Sequence, residues 1–424
     1  MATPTPTTTT IAYVSGSTQK VCTLTGTPNS ADLDKTATAT GFGLQAADRG
    51  YSFTYNGDVW YIFGDSQPTK DFPVESTTKN AATRYPKDAS GLDNDSMAYA
   101  APTPPGSCPH LAFIPQTTPA VGAYTSPSLT FSGQPVSLRT SETAVAGIEE
   151  NGKMYVVFAT GNSCDVAKPP DPAACGGSGN GFGHPTVTIM AVLSDQRTLR
   201  FTGLYDLSSP STTFGDDAKF VMVAMQQSAD GYVYIWGTGG GVSSRMSPPY
   251  LARVPAAQIA SPSAIQYYEG NTSTGAPTWS AHQSDATALF NDSPNCMGEL
   301  GVEWDPFVQR WVMLYNCIDD SATNPRGIWM RTAPQPWGPW SAPQTLFSSK
   351  KDGFCVVVDN TNCAAPYNGD AGGDYGPYFI PGWTTGTAAT SNAGATSTFY
   401  YTVDTFHPYG QVIEKSTIAV QNSG

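Results

Sequence analysis

The chain has 424 residues, of which 39% are hydrophobic and 13% are charged, and its formal net charge at pH 7 is −13. Lysine and arginine together number 21 and form no basic stripe, which argues against nucleic acid and anionic membrane surfaces as partners. No apolar stretch is long enough to span a bilayer. Long amphipathic helical patterns are nearly absent, whereas Gly, Pro, Thr and Ser are abundant, which is typical of many short strands joined by turns.

The N-terminal segment, residues 1–10, is a low-complexity tract of Thr and Pro, and it predicts disorder. Met1 and Ala2 ahead of this tract indicate an initiator Met placed on a mature secreted chain. Residues 11–424 are predicted to form one folded domain.

A polar turn followed by a run of aromatic and β-branched residues recurs five times along this domain. Three copies begin with Asn-Gly or Asp-Gly, at Asn56, Asn151 and Asp230, and two degenerate copies begin at Gln309 and Ser397. Asn-Gly or Asp-Gly ahead of such a run is a strong hairpin signal. Five hairpins at this period, each with room for two more strands, predict an all-β fold, a five-bladed β-propeller.

Eight cysteines, an even number, lie in loops or at predicted strand ends. Local spacing, and elimination for the last pair, predicts four disulfides: Cys164–Cys175, Cys296–Cys317, Cys355–Cys363 and Cys22–Cys108. No Cys-x-x-Cys pair occurs, so zinc is a poor alternative. Disulfides imply an oxidising compartment, which favours an extracellular, secreted protein.

Acidic residues recur near the start of four of the five strands that precede the repeated phrases. They are Asp48, Glu142, Glu299 and Asp374. Because the innermost strand of each blade is expected to begin at the mouth of the central channel, these side chains are predicted to converge there.

The first blade adds a second carboxylate. If its hairpin turns at Asn56-Gly57, counting outward places Asp48 opposite Asp65, with Cβ atoms about 4.5–5.5 Å apart. Such proximity separates two pKa values, as a glycosidase requires of its acid and its base. Two structural alternatives remain: Asp65 caps a turn, or Asp48 forms a plain ion pair with Arg49. A register slip of one residue would place the two carboxylates on opposite faces.

Several phrases, in this order, resemble a five-bladed propeller family long catalogued as a domain of unknown function and since grouped as endo-D-arabinanases, glycoside hydrolase family 183. They are Tyr-Ile-Phe-Gly-Asp at 61–65, Asp-Ser-Met-Ala at 95–98, Lys-Met-Tyr-Val at 153–156, Ser-Arg-Met-Ser-Pro-Pro-Tyr-Leu-Ala-Arg-Val-Pro at 244–255, Gly-Glu-Leu-Gly-Val at 298–302, Trp-Gly-Pro-Trp-Ser at 337–341, Tyr-Gly-Pro-Tyr at 375–378 and His-Pro-Tyr at 407–409.

The resemblance implies endo-hydrolysis of the D-arabinofuranan of mycobacterial cell walls, with inversion. It places the catalytic carboxylates on Asp48 and Asp65, with Asp65 chosen as the protonated acid because it follows an aromatic strand. Six further residues are predicted to bind substrate: Asp95, Glu142, His184, Arg245, Glu299 and Tyr375. Arg245 and the two glutamates have structural alternatives, as ion-pair or inter-blade hydrogen-bonding residues.

Other motifs are weaker. His184 follows a glycine-rich stretch at 176–183 that lacks the Lys-Ser/Thr of a phosphate loop. Residues 93–95, Asp-Asn-Asp, are a fragment of a calcium loop without its distal Glu, so neither a metal nor a cofactor is predicted. Trp236, Trp304 and Trp383 are candidate sugar-stacking residues, although most tryptophans in blades are core residues.

Two other interpretations stay open. One is a propeller glycosidase acting on another furanoside, such as plant α-L-arabinan. The other is a non-catalytic glycan-binding propeller, which would not need paired carboxylates. In each case the expected partner is a polysaccharide, and the chain is expected to be a monomer.

Overall fold

A computed structural model of the protein describes residues 9–25, 44–68, 94–115, 124–136, 138, 143–160, 187–208, 219–239, 247–292, 296–317, 327–348, 352, 374–390, 394–406 and 409–422. Strands dominate these ranges. The helical elements in them include single 3-10 turns at Gln196–Thr198, Ala256–Gln258, Pro262–Ala264 and Gln283–Asp285. None of the helices in the described part of the chain has the length and apolar character needed to cross a membrane.

The strands form five sheets. Two N-terminal strands, β1 (Thr9–Tyr13) and β2 (Gln19–Thr25), precede the first blade. Blade 1 contains β3 (Leu44–Tyr55), β4 (Asp58–Pro68), β5 (Asn94–Ala100) and β6 (Ala112–Phe113). Blade 2 contains β7 (Ser128–Phe131), β8 (Gln134–Val136), β9 (Thr143–Glu150), β10 (Lys153–Thr160), β11 (Val187–Asp195) and β12 (Arg200–Asp206).

Blade 3 contains β13 (Met222–Gln227), β14 (Tyr232–Thr238), β15 (Pro249–Pro255), β16 (Gln266–Asn271) and β17 (Pro277–Ser280). Blade 4 contains β18 (Met297–Asp305), β19 (Arg310–Cys317), β20 (Gly327–Ala333) and β21 (Gln344–Phe347). Blade 5 contains β22 (Thr385–Thr387), β23 (Thr396–Phe406) and β24 (Tyr409–Asn422). Each blade is a single sheet, so the predicted five-bladed β-propeller is confirmed.

The repeated phrases occupy the second strand from the centre of each blade, as predicted. Asn56 and Gly57 have φ angles of 51° and 84°, and Asn151 and Gly152 have 52° and 69°. Two successive left-handed residues form the turn that matches the twist of a hairpin, which explains the Asn-Gly pairs.

The ring closes through the N-terminal strands. β1 pairs antiparallel with β24 from Thr9 opposite Asn422 to Tyr13 opposite Ile418, and β2 pairs with β24 as well. Thr9 and Thr10, which fall in the predicted disordered segment, pair with the last strand, and the predicted division into domains otherwise stays a prediction. The rest of the predicted disordered segment, residues 1–8, lies outside the described residues.

The inner strands β3, β9, β13 and β18 surround a central channel, together with a short segment of blade 5. That segment bridges to β23 through Tyr375 and Phe379. The Ser52 hydroxyl on β3 donates a hydrogen bond to the carbonyl of Phe379 at 2.8 Å, which joins blade 1 to blade 5. The front end of the channel is defined here as the end where the inner strands begin, and the rear end as the end where they stop.

Two of the predicted disulfides are present, Cys22–Cys108 and Cys296–Cys317. The other two, Cys164–Cys175 and Cys355–Cys363, fall outside the described residues. Two bridges are compatible with an extracellular protein. The second bridge lies at the front end of blade 4, where Cys317 pairs with Met297 in the ladder.

Removing the Cys296–Cys317 bridge should destabilise the fold. The double variant Cys296→Ala/Cys317→Ala is expected to lower the free energy of unfolding by about 3 kcal/mol, because the bridge closes a loop of 21 residues in the unfolded chain. Guanidinium denaturation of both proteins under oxidising conditions measures this difference. An unchanged denaturation midpoint would show that the bridge contributes nothing to stability.

Candidate active site

The register of the first hairpin departs from the prediction near the front end. As far as Tyr51 the pairs follow it, but Gly50 has no partner on β4, so Asp48 pairs with Gly64 instead of Asp65. The predicted direct opposition of Asp48 and Asp65 is therefore wrong by one residue. The physical reason is a β-bulge, which inserts one extra residue into β3.

The bulge anchors blade 1 to blade 5. Arg49 and Gly50 both have left-handed φ angles, 70° and 60°. The Arg49 N–H donates to Oδ2 of Asp404 at 2.8 Å, and Gln411 Nε2 donates to the other oxygen of Asp404 at 2.5 Å. A Cβ on Gly50 would lie 2.2 Å from Oε1 of Gln411, so both the backbone angle and the packing require glycine there.

The Arg49 side chain joins blade 1 to blades 3 and 4. It is 2% exposed, and its Nη1 lies 3.4 Å from Oε1 of Glu299 and 3.6 Å from Sδ of Met222. Glu299 comes from β18 and also accepts a hydrogen bond from the Tyr378 hydroxyl at 3.0 Å. Its own backbone N–H donates to Oδ1 of Asn316 at 2.5 Å. Arg49 is thus the centre of a buried network in which the inner strands meet.

Asp48 is held in this network from two sides. Its carboxylate is buried, and Oδ2 accepts a hydrogen bond from the Tyr375 hydroxyl at 2.9 Å. A Cβ on Gly64 would lie 2.7 Å from the other oxygen of Asp48. The glycine of the Phe-Gly-Asp phrase therefore leaves the space that the Asp48 carboxyl occupies. Asp65 follows directly with a left-handed φ of 39° and is only half-buried. Its negative charge helps to raise the pKa of Arg49, which places it beside the guanidinium.

Asp95 supplies a further buried carboxyl from β5. It is 4% exposed and lies near Asp48, Arg49 and Thr143. Burial raises the pKa of Asp95 well above the usual range. The hydrogen bond from Thr143 and the charge of Arg49 oppose this rise, whereas the charge of Asp48 adds to it.

Three buried carboxyls, those of Asp48, Asp95 and Glu299, lie near the Arg49 guanidinium, and the carboxyl of Asp404 accepts a hydrogen bond from the Arg49 backbone N–H. Burial raises the pKa of Asp404 well above its usual range, and the charges of Asp48 and Glu299 raise it further. Burial also raises the pKa of Glu299, with Arg49 opposing the shift. Burial acts to lower the pKa of Arg49. The charges of the surrounding groups outweigh this effect, so the pKa of Arg49 is raised; these groups are Glu299, Tyr378, Asp48 and Asp65.

The site therefore keeps a permanent positive charge among carboxyls that retain protons to higher pH than carboxyls in water. Buried groups with shifted pKa values in a cleft are typical of acid–base chemistry. Such an arrangement can hold both a proton donor and a proton acceptor near neutral pH.

The network accounts for five of the eight residues singled out in the sequence. Asp48, Asp65, Asp95, Glu299 and Tyr375 come together at the front end. Glu142, His184 and Arg245 lie outside the described residues. Among the described residues, no group of three or more His, Cys, Asp or Glu side chains is arranged to hold a metal ion. The expectation that neither metal nor cofactor takes part stays a prediction.

Sequence reasoning missed Tyr378 and Asp404 and assigned Arg49 only a possible ion pair with its neighbour Asp48. One signal for Asp404 was present: the first and fifth repeated phrases both end in Asp, at Asp65 and Asp404. The role of Arg49 had no comparable signal, because it depends on the bulge that turns the side chain across the channel.

The raised pKa of Asp95 predicts how stability varies with pH. A carboxyl whose pKa is higher in the folded state binds more protons there, so the free energy of unfolding should fall as pH rises above the unfolded pKa of about 3.9. Asn cannot ionise, so the Asp95→Asn variant should lose less melting temperature between pH 5 and pH 8 than the wild type. Thermal melting at several pH values measures this slope, and Asp58→Asn, at the opposite end of the same blade, is the control. Equal slopes for Asp95→Asn and wild type would contradict the prediction.

Comparison with known families gives one match by sequence. The model of a domain of unknown function, DUF4185, matches residues 194–413, slightly more than half of the chain. The chain belongs to the DUF4185 family. The matched region contains Glu299, Tyr375 and Asp404, whereas Asp48, Asp65 and Asp95 precede it. A comparison with curated protein sequences gives no match.

Among solved structures, similar ones include three carbohydrate-active enzymes. The catalytic domain of a GH62 α-L-arabinofuranosidase from Coprinopsis cinerea is 9% identical, with a TM-score of 0.43 and coverage of 96% of this chain and 97% of that one. An α-L-arabinofuranosidase from Podospora anserina is 13% identical, with a TM-score of 0.39 and coverage of 94% and 95%. An exo-β-1,3-galactanase from Phanerochaete chrysosporium is 8% identical, with a TM-score of 0.44 and coverage of 94% and 64%. Likenesses this distant do not carry an activity from one chain to another.

Proposed function

We propose that the protein is a secreted glycoside hydrolase that cleaves internal α-D-arabinofuranosyl linkages of mycobacterial arabinan, with inversion. The observation that carries the hydrolytic part is the carboxyl network at the front end of the channel, in which Asp48 and Asp65 both lie beside Arg49. The choice of D-arabinan as substrate rests on the resemblance of the repeated phrases to endo-D-arabinanases. The chain acts as one propeller domain and as a monomer.

Asp48 is assigned the role of base. The hydroxyl of Tyr375 donates a hydrogen bond to Oδ2 of Asp48, which orients the carboxyl to take a proton from a water molecule. Asp65 is assigned the role of acid, because it directly follows the aromatic run of β4 and is the more exposed of the pair. Asp95, Glu299 and Tyr375 position these two carboxyls and the sugar.

In this mechanism the activated water attacks the anomeric carbon while Asp65 protonates the departing glycosidic oxygen. The bond between the anomeric carbon and that oxygen breaks, and the sugar is left with an inverted configuration. Asp48 then carries the proton taken from water and Asp65 has lost its own, so exchange with solvent restores both groups. Acid–base assistance of this kind typically accelerates a reaction about 10²–10⁴-fold.

The test is incubation with purified mycobacterial arabinogalactan and, in parallel, with plant α-L-arabinan. Short D-arabino-oligosaccharides without free arabinose are the expected early products, and proton NMR in the first minutes should show the β-anomer. Better activity on the plant polymer would correct the substrate but keep the hydrolase. Binding without hydrolysis on either polymer would show a glycan-binding propeller instead.

A further inference from the structure

The rear end of the channel holds a second concave site that the front network does not use. A cavity of about 550 Å³ opens there, within the range of about 300–1,000 Å³ that is typical of small-molecule sites. All five blades contribute to its wall through the last residues of their inner strands. Phe53 in this wall lies five positions beyond Asp48 on β3, a span of roughly 16 Å at about 3.3 Å per residue.

Aromatic side chains separate the rear cavity from the front network. The rings of Tyr51 and Tyr378 lie 5.3 Å apart, and the Tyr51 hydroxyl donates a hydrogen bond to the carbonyl of Met225 at 3.1 Å. Tyr378 reaches the front network through Glu299, whereas Tyr51 and Met225 line the rear cavity. The rear cavity and the front network therefore use different polar groups, with these two rings between them.

Trp304 gives this cavity an aromatic surface. Its side chain is 38% exposed, whereas Trp236 and Trp383, the other two tryptophans considered for stacking, are buried in the core. Trp304 rests edge-on against Trp311 at 5.7 Å between ring centroids, which holds the indole in place. A fixed, exposed indole beside polar groups is suited to stacking on a sugar ring.

The polar groups around Trp304 both donate and accept hydrogen bonds. Glu303, Gln226 and Gln227 line the cavity, and Oε1 of Glu303 accepts a hydrogen bond from the Thr384 hydroxyl at 2.5 Å. Burial raises the pKa of Glu303 to about 7. The hydrogen bond from Thr384 opposes this shift, and the charge of Asp305 adds to it. A carboxyl that is partly protonated at neutral pH, next to amide groups, can form hydrogen bonds with hydroxyl groups, and the second carboxyl of the wall, Glu149, already accepts a hydrogen bond from the Asn56 N–H at 3.0 Å.

We propose that the rear cavity binds a neutral saccharide, with Trp304 as the stacking surface and with Glu303, Gln226 and Gln227 as hydrogen-bond partners of its hydroxyl groups. This site does not depend on the hydrolytic activity proposed for the front end. It provides a second point of attachment to a glycan on the opposite side of the propeller.

The test is calorimetric titration of the full chain with xylotriose, maltotriose and α-1,5-linked L-arabinotriose, and with choline as the cationic probe. At least one trisaccharide is expected to bind with a dissociation constant in the millimolar range or tighter. Trp304→Ala and the conservative Glu303→Gln should each weaken this binding at least about tenfold. Trp340→Ala, a tryptophan outside the cavity wall, and Asp48→Asn at the front end should leave it unchanged.

Far-ultraviolet circular dichroism of each variant excludes loss of fold as the cause. Three results would overturn the proposal. The first is the absence of binding by every trisaccharide, and the second is binding that both rear variants retain in full. The third is Trp304-dependent binding of choline without saccharide binding, which would assign the cavity to an organic cation.

Discussion

Replacing Asp48 by Asn should lower turnover on arabinogalactan by at least about 100-fold while the fold and the thermal melting curve stay nearly unchanged. The amide keeps the size of the carboxyl and can still interact with Tyr375, but it cannot take a proton from water. Asp65→Asn should have an effect of similar size, because the departing oxygen then lacks its acid. The two losses should not add in the double variant, since both groups serve one proton transfer sequence.

The matched control is Asp58→Asn, which makes the same substitution on the same strand as Asp65 but at the rear turn of the hairpin. It should retain full activity. Initial rates of oligosaccharide release, measured at saturating polymer, compare the wild type with the four variants. If either front variant keeps more than about a tenth of wild-type turnover, that aspartate is structural, and the catalytic role moves toward Glu299 and its neighbours.

The architecture could be predicted because it depends on local signals. Asn-Gly turns and aromatic runs specify each hairpin within about ten residues, and their period sets the number of blades. The closure of the ring by β1 and β2 could not be predicted in this way. Those strands carry no repeated phrase, and their partner β24 lies at the opposite end of the sequence.

The site could be predicted in composition but not in geometry. Carboxylates at the starts of inner strands indicated where Asp48 and Glu299 would meet, and they do meet through Arg49. The register failed at Gly50, because a bulge depends on packing against Gln411 and Asp404 from another blade. Regular counting along a hairpin cannot detect an insertion that a distant strand stabilises.

Removing the charge of Arg49 should destabilise the fold, and the size of the effect should depend on pH. Arg49→Gln leaves Asp48, Asp95 and Glu299 without the buried guanidinium that balances them, which is expected to lower the free energy of unfolding by about 3–5 kcal/mol near pH 8. At pH 5 the loss should be smaller, because burial raises the pKa values of Asp95 and Glu299 and a proton then replaces the missing charge. Arg253→Gln is the matched control, since that guanidinium packs on the rings of Tyr232 and Trp279.

The double variant Arg49→Gln/Glu299→Gln separates charge balance from packing. Removing Glu299 together with Arg49 eliminates one of the carboxylates left unbalanced, so the double variant should be more stable at pH 8 than the sum of the two single losses by about 0.5–3 kcal/mol. Urea denaturation of all four proteins at pH 5 and pH 8 measures this coupling. Additive losses that are equal at both pH values would mean that Arg49 acts through its packing against Met222 and not through its charge. A coupling that appears only at the higher pH would identify Arg49 as the group that allows several carboxyls to share one buried site.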